Sequence, residues 1–116
     1  MCKNNNRHAG WYESPLAGRV WLESSWEVKV ARILDDHNVQ WSRPRKGWPW
    51  VDEVGVEHKY YPDFHLTESD IYLDPKHPYA QIKDAFKIED VRRRHGLDIR
   101  VMSENQLTEE FVLALC

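Results

Sequence analysis

The sequence YYPDFHLTESDIYLDPKH, residues 60–77, consists of two strand-like runs on either side of a polar turn. The first run ends at Leu66, the turn falls within TESD, and the second run, DIYLD, stops at Pro75. If the two runs pair as a hairpin, Asp63 and Asp74 lie side by side at one end of it. We therefore expect two carboxylates to converge there.

Two carboxylates on neighbouring strands are a sufficient protein contribution to a magnesium site, because Mg²⁺ prefers oxygen ligands and keeps several waters. Such a metal lowers the pKa of a bound water and stabilises negative charge on a scissile phosphate. Lys76 follows Asp74 by two residues and so shares its strand face, where it could orient the water or neutralise the phosphate. The spacing predicts a metal-dependent phosphodiesterase. A simpler reading also exists, since Pro-Asp is an ordinary turn signal and strand-end lysines are often merely solvated.

The rest of the chain supplies helices and further strands. A helix is predicted from Trp26 to His37, with Ser24 and Glu27 in a capping-box pattern at its start. Placing its residues about 100° apart puts four apolar side chains on one face: Trp26, Val30, Ile33 and Leu34. The capping box explains Glu27 without any metal, although Glu27 also lies at the edge of the buried face. NVQWSRP then alternates as a half-buried strand would.

A hairpin with its turn near Gly55 is expected next, returning through a strand that runs from about Lys59. A second helix is predicted over residues 79–95, with Gly96 as its C-terminal stop and three side chains facing inward: Ile82, Ala85 and Phe86. LDIRVM reads as a further strand and SENQLTEEFVLALC as a terminal helix. This order predicts an α/β fold in which helices flank a small mixed sheet.

Length and composition limit the class of protein. At 116 residues the chain is expected to form one domain, with residues 1–14 as a disordered lead-in and residues 15–116 as the folded unit. Cys2 and Cys116 lie at the two ends, where they suggest neither a disulfide framework nor a zinc site. No apolar run approaches the roughly 20 residues of a membrane span, so we expect a cytoplasmic protein without membrane contact. The net charge of −3 argues against non-specific coating of nucleic acid but is compatible with a nuclease.

The PDF motif at Asp63, followed eleven positions later by the D-x-K of Asp74 and Lys76, resembles the PD-(D/E)xK nuclease superfamily. The similarity extends from about Val20 to Leu107, because SSWEVKVARILDDHN looks like the first helix of that family. The resemblance implies a restriction-endonuclease-like core and a DNA endonuclease that uses Mg²⁺, with Mn²⁺ as a substitute. In small phage-encoded members and junction resolvases a glutamate on the first helix joins the metal site, and Glu27 matches it. It also suggests a bacterial or phage-infected host cell as the setting.

Two alternatives remain open at this stage. Glu27, Asp63 and His65 could instead correspond to the EDxHD branch of homing and very-short-patch-repair nucleases, which normally lacks the lysine. Pro75 occupies the middle of D-x-K, where a strand residue usually donates a hydrogen bond that proline lacks. The chain could therefore be a catalytically inactive module that binds DNA or another protein.

Contacts with DNA are expected from two groups of basic residues: Lys83, Lys87 and Arg94 on the second helix, and Arg43, Arg45 and Lys46 in the loop after NVQWS. The same loop carries Trp48 and Trp50, which could stack on a distorted strand. A solvated helix face and a packed tryptophan loop would explain these residues equally well. Because so small a domain has one site, cutting both strands would require a homodimer or two successive nicks.

Overall fold

The computed structural model describes residues 9–116. Eight strands and four α-helices follow one another in this order: β1 (Gly10–Ser14), β2 (Gly18–Leu22), α1 (Ser25–Asp36), β3 (Trp41–Ser42), β4 (Trp48–Val51), β5 (Glu57–Tyr60), β6 (Phe64–Leu66), β7 (Ile71–Pro75), α2 (Pro78–Lys83), α3 (Ala85–His95), β8 (Asp98–Met102) and α4 (Glu109–Ala114), with a short 3-10 helix (Glu104–Gln106) before α4. The predicted α/β class is confirmed.

A four-stranded mixed sheet forms the centre, in the order β3-β6-β7-β8. The strands β6 and β7 form the predicted antiparallel hairpin, with Phe64 opposite Leu73 and Leu66 opposite Ile71. Asp70 closes its turn at a φ of 58°, a left-handed conformation that aspartate tolerates better than most residues. The strand β8 pairs with β7 in parallel, after the crossover through α2 and α3.

Both faces of this sheet are covered. Strand side chains alternate between the two faces, so each face contributes to a different cluster of buried residues. On one face Phe64, Leu66 and Leu73 pack in a core that also takes in side chains of α1, α4 and the β1–β2 hairpin. On the other face Tyr72 packs with a smaller cluster that includes Val91 of α3 and residues of the β4–β5 hairpin. The sheet is thus a middle layer between helices.

Pro75 does not disturb the sheet. The amide of Lys76 donates to the carbonyl of Met102 at 2.9 Å, so Lys76 faces β8. Because polar backbone groups alternate between the two edges of a strand, Pro75 faces the β6 side. There β6 has already ended, since its first residue, Phe64, pairs with Leu73. The missing N–H therefore costs no ladder hydrogen bond, and Lys76 keeps its place.

The N-terminal boundary differs from the prediction. Gly10–Ser14, assigned to a lead-in, pairs along its length with β2, and the turn between them uses Gly18 at a φ of 81°. The Ser14 hydroxyl accepts from the amides of Leu16 and Ala17, which fixes the turn. Residues 1–8 of the predicted lead-in lie outside the described residues. The folded unit therefore begins before residue 15.

The helix predicted over residues 79–95 is divided at Asp84 into α2 and α3. The prediction that Ile82, Ala85 and Phe86 face inward is wrong, because Ala85 is exposed and Ile82 and Phe86 are 79% and 47% exposed. The buried apolar side chains of α3 are Ile88 and Val91. Gly96 ends α3 in the left-handed conformation, as predicted. No helix within residues 9–116 has the length and apolar character required to span a membrane.

The carboxylate of Asp35 ties three elements together. It accepts hydrogen bonds from the Tyr12 hydroxyl at 2.6 Å, the Ser14 hydroxyl at 2.7 Å and the Trp41 indole at 2.9 Å. These donors come from β1 and β3, while Asp35 lies at the end of α1. Hydrogen bonds to a charged acceptor are stronger than neutral ones. Asp35 thus fixes the N-terminal hairpin on the central layers.

We expect Asp35→Ala to lower the free energy of unfolding by about 2–4 kcal/mol, because three partly buried donors lose their shared acceptor. Asp36→Ala, at the neighbouring exposed position, serves as the control and should change stability by less than about 0.5 kcal/mol. Urea denaturation of both variants measures the difference. Equal midpoints for the two variants would contradict this role of Asp35.

Candidate active site

Asp63 and Asp74 converge at one end of the central sheet. Asp63 immediately precedes β6, and extending the Phe64–Leu73 register by one residue places it opposite Asp74 in β7. The two aspartates lie in an open cleft of about 390 Å³. The cleft is lined by residues of α1, β5, β7, α2 and α3, and of the segments between them: Glu27, Lys59, Tyr60, Tyr61, Asp63, Asp74, Pro75, Lys76, His77, Ala80 and Lys87. The predicted convergence of Asp63 and Asp74 is thus present.

Asp74 is nearly buried and has two partners on one oxygen. Its Oδ2 accepts a hydrogen bond from the Tyr60 hydroxyl at 2.5 Å and lies 3.5 Å from Lys76 Nζ. Burial, followed by the charge of Asp74, raises the pKa of Tyr60 far above its usual value, so that the hydroxyl stays a donor. Both of these contacts are to Oδ2.

Lys76 is held next to Asp74 by contacts with Asp84 and Gln81. Its Nζ lies 2.8 Å from Asp84 Oδ2, and its backbone carbonyl accepts a hydrogen bond from Gln81 Nε2 at 2.9 Å. Burial alone would lower the pKa of Lys76, but Asp74 and Asp84 outweigh it and raise the pKa above the usual 10.5. Lys76 therefore stays protonated at neutral pH and can act as a donor rather than as a base.

Glu27 faces the cleft from the first turn of α1, but its carboxylate is already paired. Arg43 Nη2 lies 3.0 Å from Glu27 Oε1, which also accepts from the amide of Glu23 at 2.9 Å. The Ser24 side chain accepts from the amide of Glu27, which is one half of the predicted capping box; the other half is not formed, because Glu27 accepts from the amide of Glu23 instead of that of Ser24. Arg43 in turn donates to the backbone carbonyl of Asp63 at 3.0 Å and lies 3.5 Å from its Oδ1.

The lining of the cleft has as many lysines as acids, yet burial and the neighbouring carboxylates disfavour the charged form of Asp63. Burial raises the pKa of Asp63 well above the usual 3.8, the carboxylates of Asp74 and Glu27 raise it further, and Arg43 opposes them. Burial likewise raises the pKa of Glu27, against the lowering effect of Arg43. A divalent cation between the carboxylates would relieve this repulsion. The Asp63 side chain remains 21% exposed, so a cation from solvent can reach it.

The predicted three-carboxylate ligand set is not assembled. Within residues 9–116 no group of three acidic, histidine or cysteine side chains is arranged to hold a metal ion. The physical reason is Arg43, which occupies the carboxylate of Glu27. Asp63 and Asp74 alone fit the oxygen donors and the small protein contribution that Mg²⁺ accepts.

His65, the residue of the alternative EDxHD reading, lies outside the cleft. Its ring stacks on Tyr72 with centroids 4.3 Å apart, and its Nε2 lies 2.8 Å from Asp70 Oδ1. Both partners belong to the β6–β7 hairpin and its turn. These contacts explain His65 as a residue that stabilises the β6–β7 hairpin.

The six basic residues predicted to contact DNA do not form one surface. Lys87 lines the cleft, with its Nζ 3.5 Å from Asp84 and 5.5 Å from the Tyr60 ring centre. Arg94 is paired with the buried Asp90 at 2.7 Å. Lys83 belongs to α2, and the break at Asp84 removes it from the stripe predicted on a single helix. Arg43 binds the acids, as described above, whereas Arg45 and Lys46 are exposed.

Trp48 and Trp50 are packed rather than free to stack on a nucleotide. Trp48 contacts the ring of His95, and Trp50 stacks on His58 with centroids 4.7 Å apart. Sequence reasoning also missed the roles of Tyr60, Arg43 and Asp84, because each depends on side chains brought together only by the fold. The pairing of Asp84 with Lys76 could have been suspected, because Asp84 follows Lys76 by only eight residues.

Comparisons with protein-family models, with curated proteins and with solved structures give no match to this chain. Its function must therefore be inferred from the chemistry of the cleft.

We expect Asp63→Asn to stabilise the protein at about pH 7.5, by about 3–5 °C in melting temperature. The pKa of Asp63 is higher in the folded than in the unfolded chain, so the wild type loses stability as the pH rises above about 4 toward the folded pKa. Asparagine removes that cost. The difference should shrink as the pH falls and disappear below about pH 3, where the wild-type carboxyl is protonated in both states.

Thermal unfolding across this pH range measures the effect. Asp98→Asn is the matched control, because Asp98 is paired with Arg100 at the surface and its pKa is lowered by that pair. The control should gain no stability at about pH 7.5. A melting temperature of Asp63→Asn below that of the wild type at this pH would show that Asp63 carries no such repulsion.

Proposed function

We propose that this protein is a magnesium-dependent DNA endonuclease of the PD-(D/E)xK type. The observation that carries the proposal is the meeting of Asp63, Asp74 and Lys76 in one open cleft, with Lys76 Nζ 3.5 Å from Asp74. Clustered carboxylates with a pKa raised by burial and by one another are typical of sites that bind cations or perform acid–base chemistry. A mixed sheet between helices also agrees with the fold that the sequence resemblance implies.

Asp63 and Asp74 are the residues that would hold the metal, with Mn²⁺ able to replace Mg²⁺. Bound there, the cation supplies Lewis-acid activation of the scissile phosphate and of the attacking water. Burial and the carboxylates of Asp74 and Glu27 raise the pKa of Asp63, and a divalent cation bound beside Asp63 would offset the effect of those carboxylates. Glu27 contributes through Arg43 rather than as a ligand in this arrangement.

Lys76 stabilises the negative charge that develops on the phosphate. Its ammonium group is held in position by Asp84 and stays protonated, so it acts as a hydrogen-bond donor to an oxygen of the reacting group. Gln81 fixes the backbone from which Lys76 projects. Lys87 lies on the same cleft and is suited to bind a neighbouring phosphate of the DNA strand.

A second candidate function is an inactive nuclease-fold module that binds DNA or another protein. Pro75 was the sequence feature in favour of the inactive module. Because Lys76 keeps its backbone hydrogen bond to Met102, Pro75 no longer supports that candidate. Arg43 supports it instead, because a guanidinium between Glu27 and Asp63 already supplies part of the charge that a metal would provide. For the endonuclease, cutting both DNA strands would take either a homodimer or two successive nicks by one cleft.

Cleavage of supercoiled plasmid and of four-way-junction DNA tests the enzyme. With Mg²⁺ or Mn²⁺ we expect nicking or cutting, which EDTA abolishes. Asp74→Asn should abolish it, and Lys76→Gln should slow it by about 10²–10³-fold, the effect of removing one donor to a charged transition state. Asp98→Asn, at an exposed acid outside the cleft, is the matched control and should keep full activity. Undiminished cutting by Asp74→Asn would remove Asp74 from the mechanism.

Calorimetric titration with Mn²⁺ separates the two candidates without any substrate. The endonuclease should bind Mn²⁺, and Asp63→Asn and Asp74→Asn should each lose most of the heat, because each variant leaves one carboxylate in the pair. Asp98→Asn should titrate like the wild type. No difference between the wild type and the two cleft variants would favour the inactive module.

A further inference from the structure

Two tryptophans of the N-terminal hairpin are exposed although tryptophan is usually well buried. Trp11 and Trp21 are 59% and 41% exposed and face each other across β1 and β2, with ring centroids 5.3 Å apart. Glu13 and Arg19 form the next pair on the same outer face, because strand side chains alternate. The opposite face of the hairpin, with Tyr12, packs against the core. The hairpin therefore presents an apolar surface to solvent that its folding does not require.

This surface borders a second open cleft, of about 400 Å³, which we name the platform cleft. Its lining combines the two tryptophans with three arginines and one acid: Trp11, Trp21, Arg19, Arg43, Arg45 and Glu23, together with small side chains of the hairpin and β3. The Arg19 guanidinium lies 4.5 Å from the Trp11 ring centre, while its Nε lies 3.4 Å from Glu13. Planar rings and arginines in a cationic groove are the features that bind single-stranded nucleic acid.

Arg43 connects the platform cleft to the cleft that contains Asp63 and Asp74. It lines the platform cleft and also contacts Glu27 and Asp63, which line the other cleft. Glu23 lines the platform cleft, and its amide donates to Glu27. A strand with one base at the tryptophans can thus continue past Arg43 toward the acids.

We propose that the platform cleft binds an unpaired nucleotide of a DNA strand, with its base stacked on the Trp11–Arg19 surface and its phosphate near Arg45. The position of the scissile phosphate beside Asp63 and Asp74 rests on the function proposed above, whereas binding at the platform does not. The substrate class that follows is DNA with a single-stranded element, such as a flap, a gap or a junction, rather than regular duplex. In a regular duplex the bases are stacked on their neighbours and no free ring face is available to the tryptophans.

Fluorescence anisotropy in EDTA tests the platform, with labelled oligothymidylate and a labelled duplex as the two probes. The wild type should prefer the single strand. Trp11→Ala should weaken its binding of the single strand by about 5–150-fold, the range found when one stacking aromatic is removed, and leave duplex binding within about twofold. Trp11→Phe should restore most of the affinity, because phenylalanine keeps a ring face.

Phe86→Ala is the matched control, since Phe86 is also an exposed aromatic residue, 47% exposed on α3, but lies outside both clefts. It should bind both probes like the wild type. Thermal unfolding of Trp11→Ala and Trp11→Phe shows whether the hairpin stays folded. Wild-type affinity of Trp11→Ala for oligothymidylate, or equal losses on both probes, would overturn the platform.

The two proposals can fail separately. Single-strand binding that depends on Trp11, in a protein that cuts no DNA with Mg²⁺, would sustain the platform and reject the endonuclease. Cutting that depends on Asp74, without any effect of Trp11→Ala on binding, would do the reverse.

Discussion

The repulsion between the carboxylates of Asp63 and Asp74 is the constraint around which the rest of the cleft is organised. The β6–β7 hairpin brings the two acids together through its register, and burial makes their proximity unfavourable. Tyr60 and Lys76 offset the charge of Asp74, and Arg43 offsets that of Asp63. A fold selected for stability alone would have little reason to place acids there, and this is why the cleft indicates function.

The residues that hold Lys76 in place come from the helical segment that follows it, which links the site to the architecture. The break between α2 and α3 falls at Asp84, whose carboxylate contacts Lys76 and Lys87. Gln81 of α2 holds the backbone of Lys76 from the other side. The break in the helix is therefore part of the site, because the residue at the break, Asp84, pairs with Lys76 in the cleft.

Local patterns in the sequence predicted most of the elements. The N-cap at Ser24, the stop at Gly96 and the hairpin between Leu66 and Ile71 depend on neighbouring residues, and the structure contains all three. The convergence of the two aspartates followed from the same hairpin.

Pairings between distant residues could not be predicted in this way. The role of Arg43 depends on the approach of α1 to the segment before β6, and the burial of Trp48 and Trp50 depends on α3. The prediction of one helix over residues 79–95 missed the break at Asp84, because periodicity does not reveal that the Asp84 carboxylate pairs with Lys76 outside the helix.

Pro75 has a consequence for the edge of the sheet. The strand β7 extends past the end of β6, beyond the pair of Phe64 with Leu73. Because proline offers no N–H at that position, this end of β7 presents one donor fewer to any strand that could pair with it.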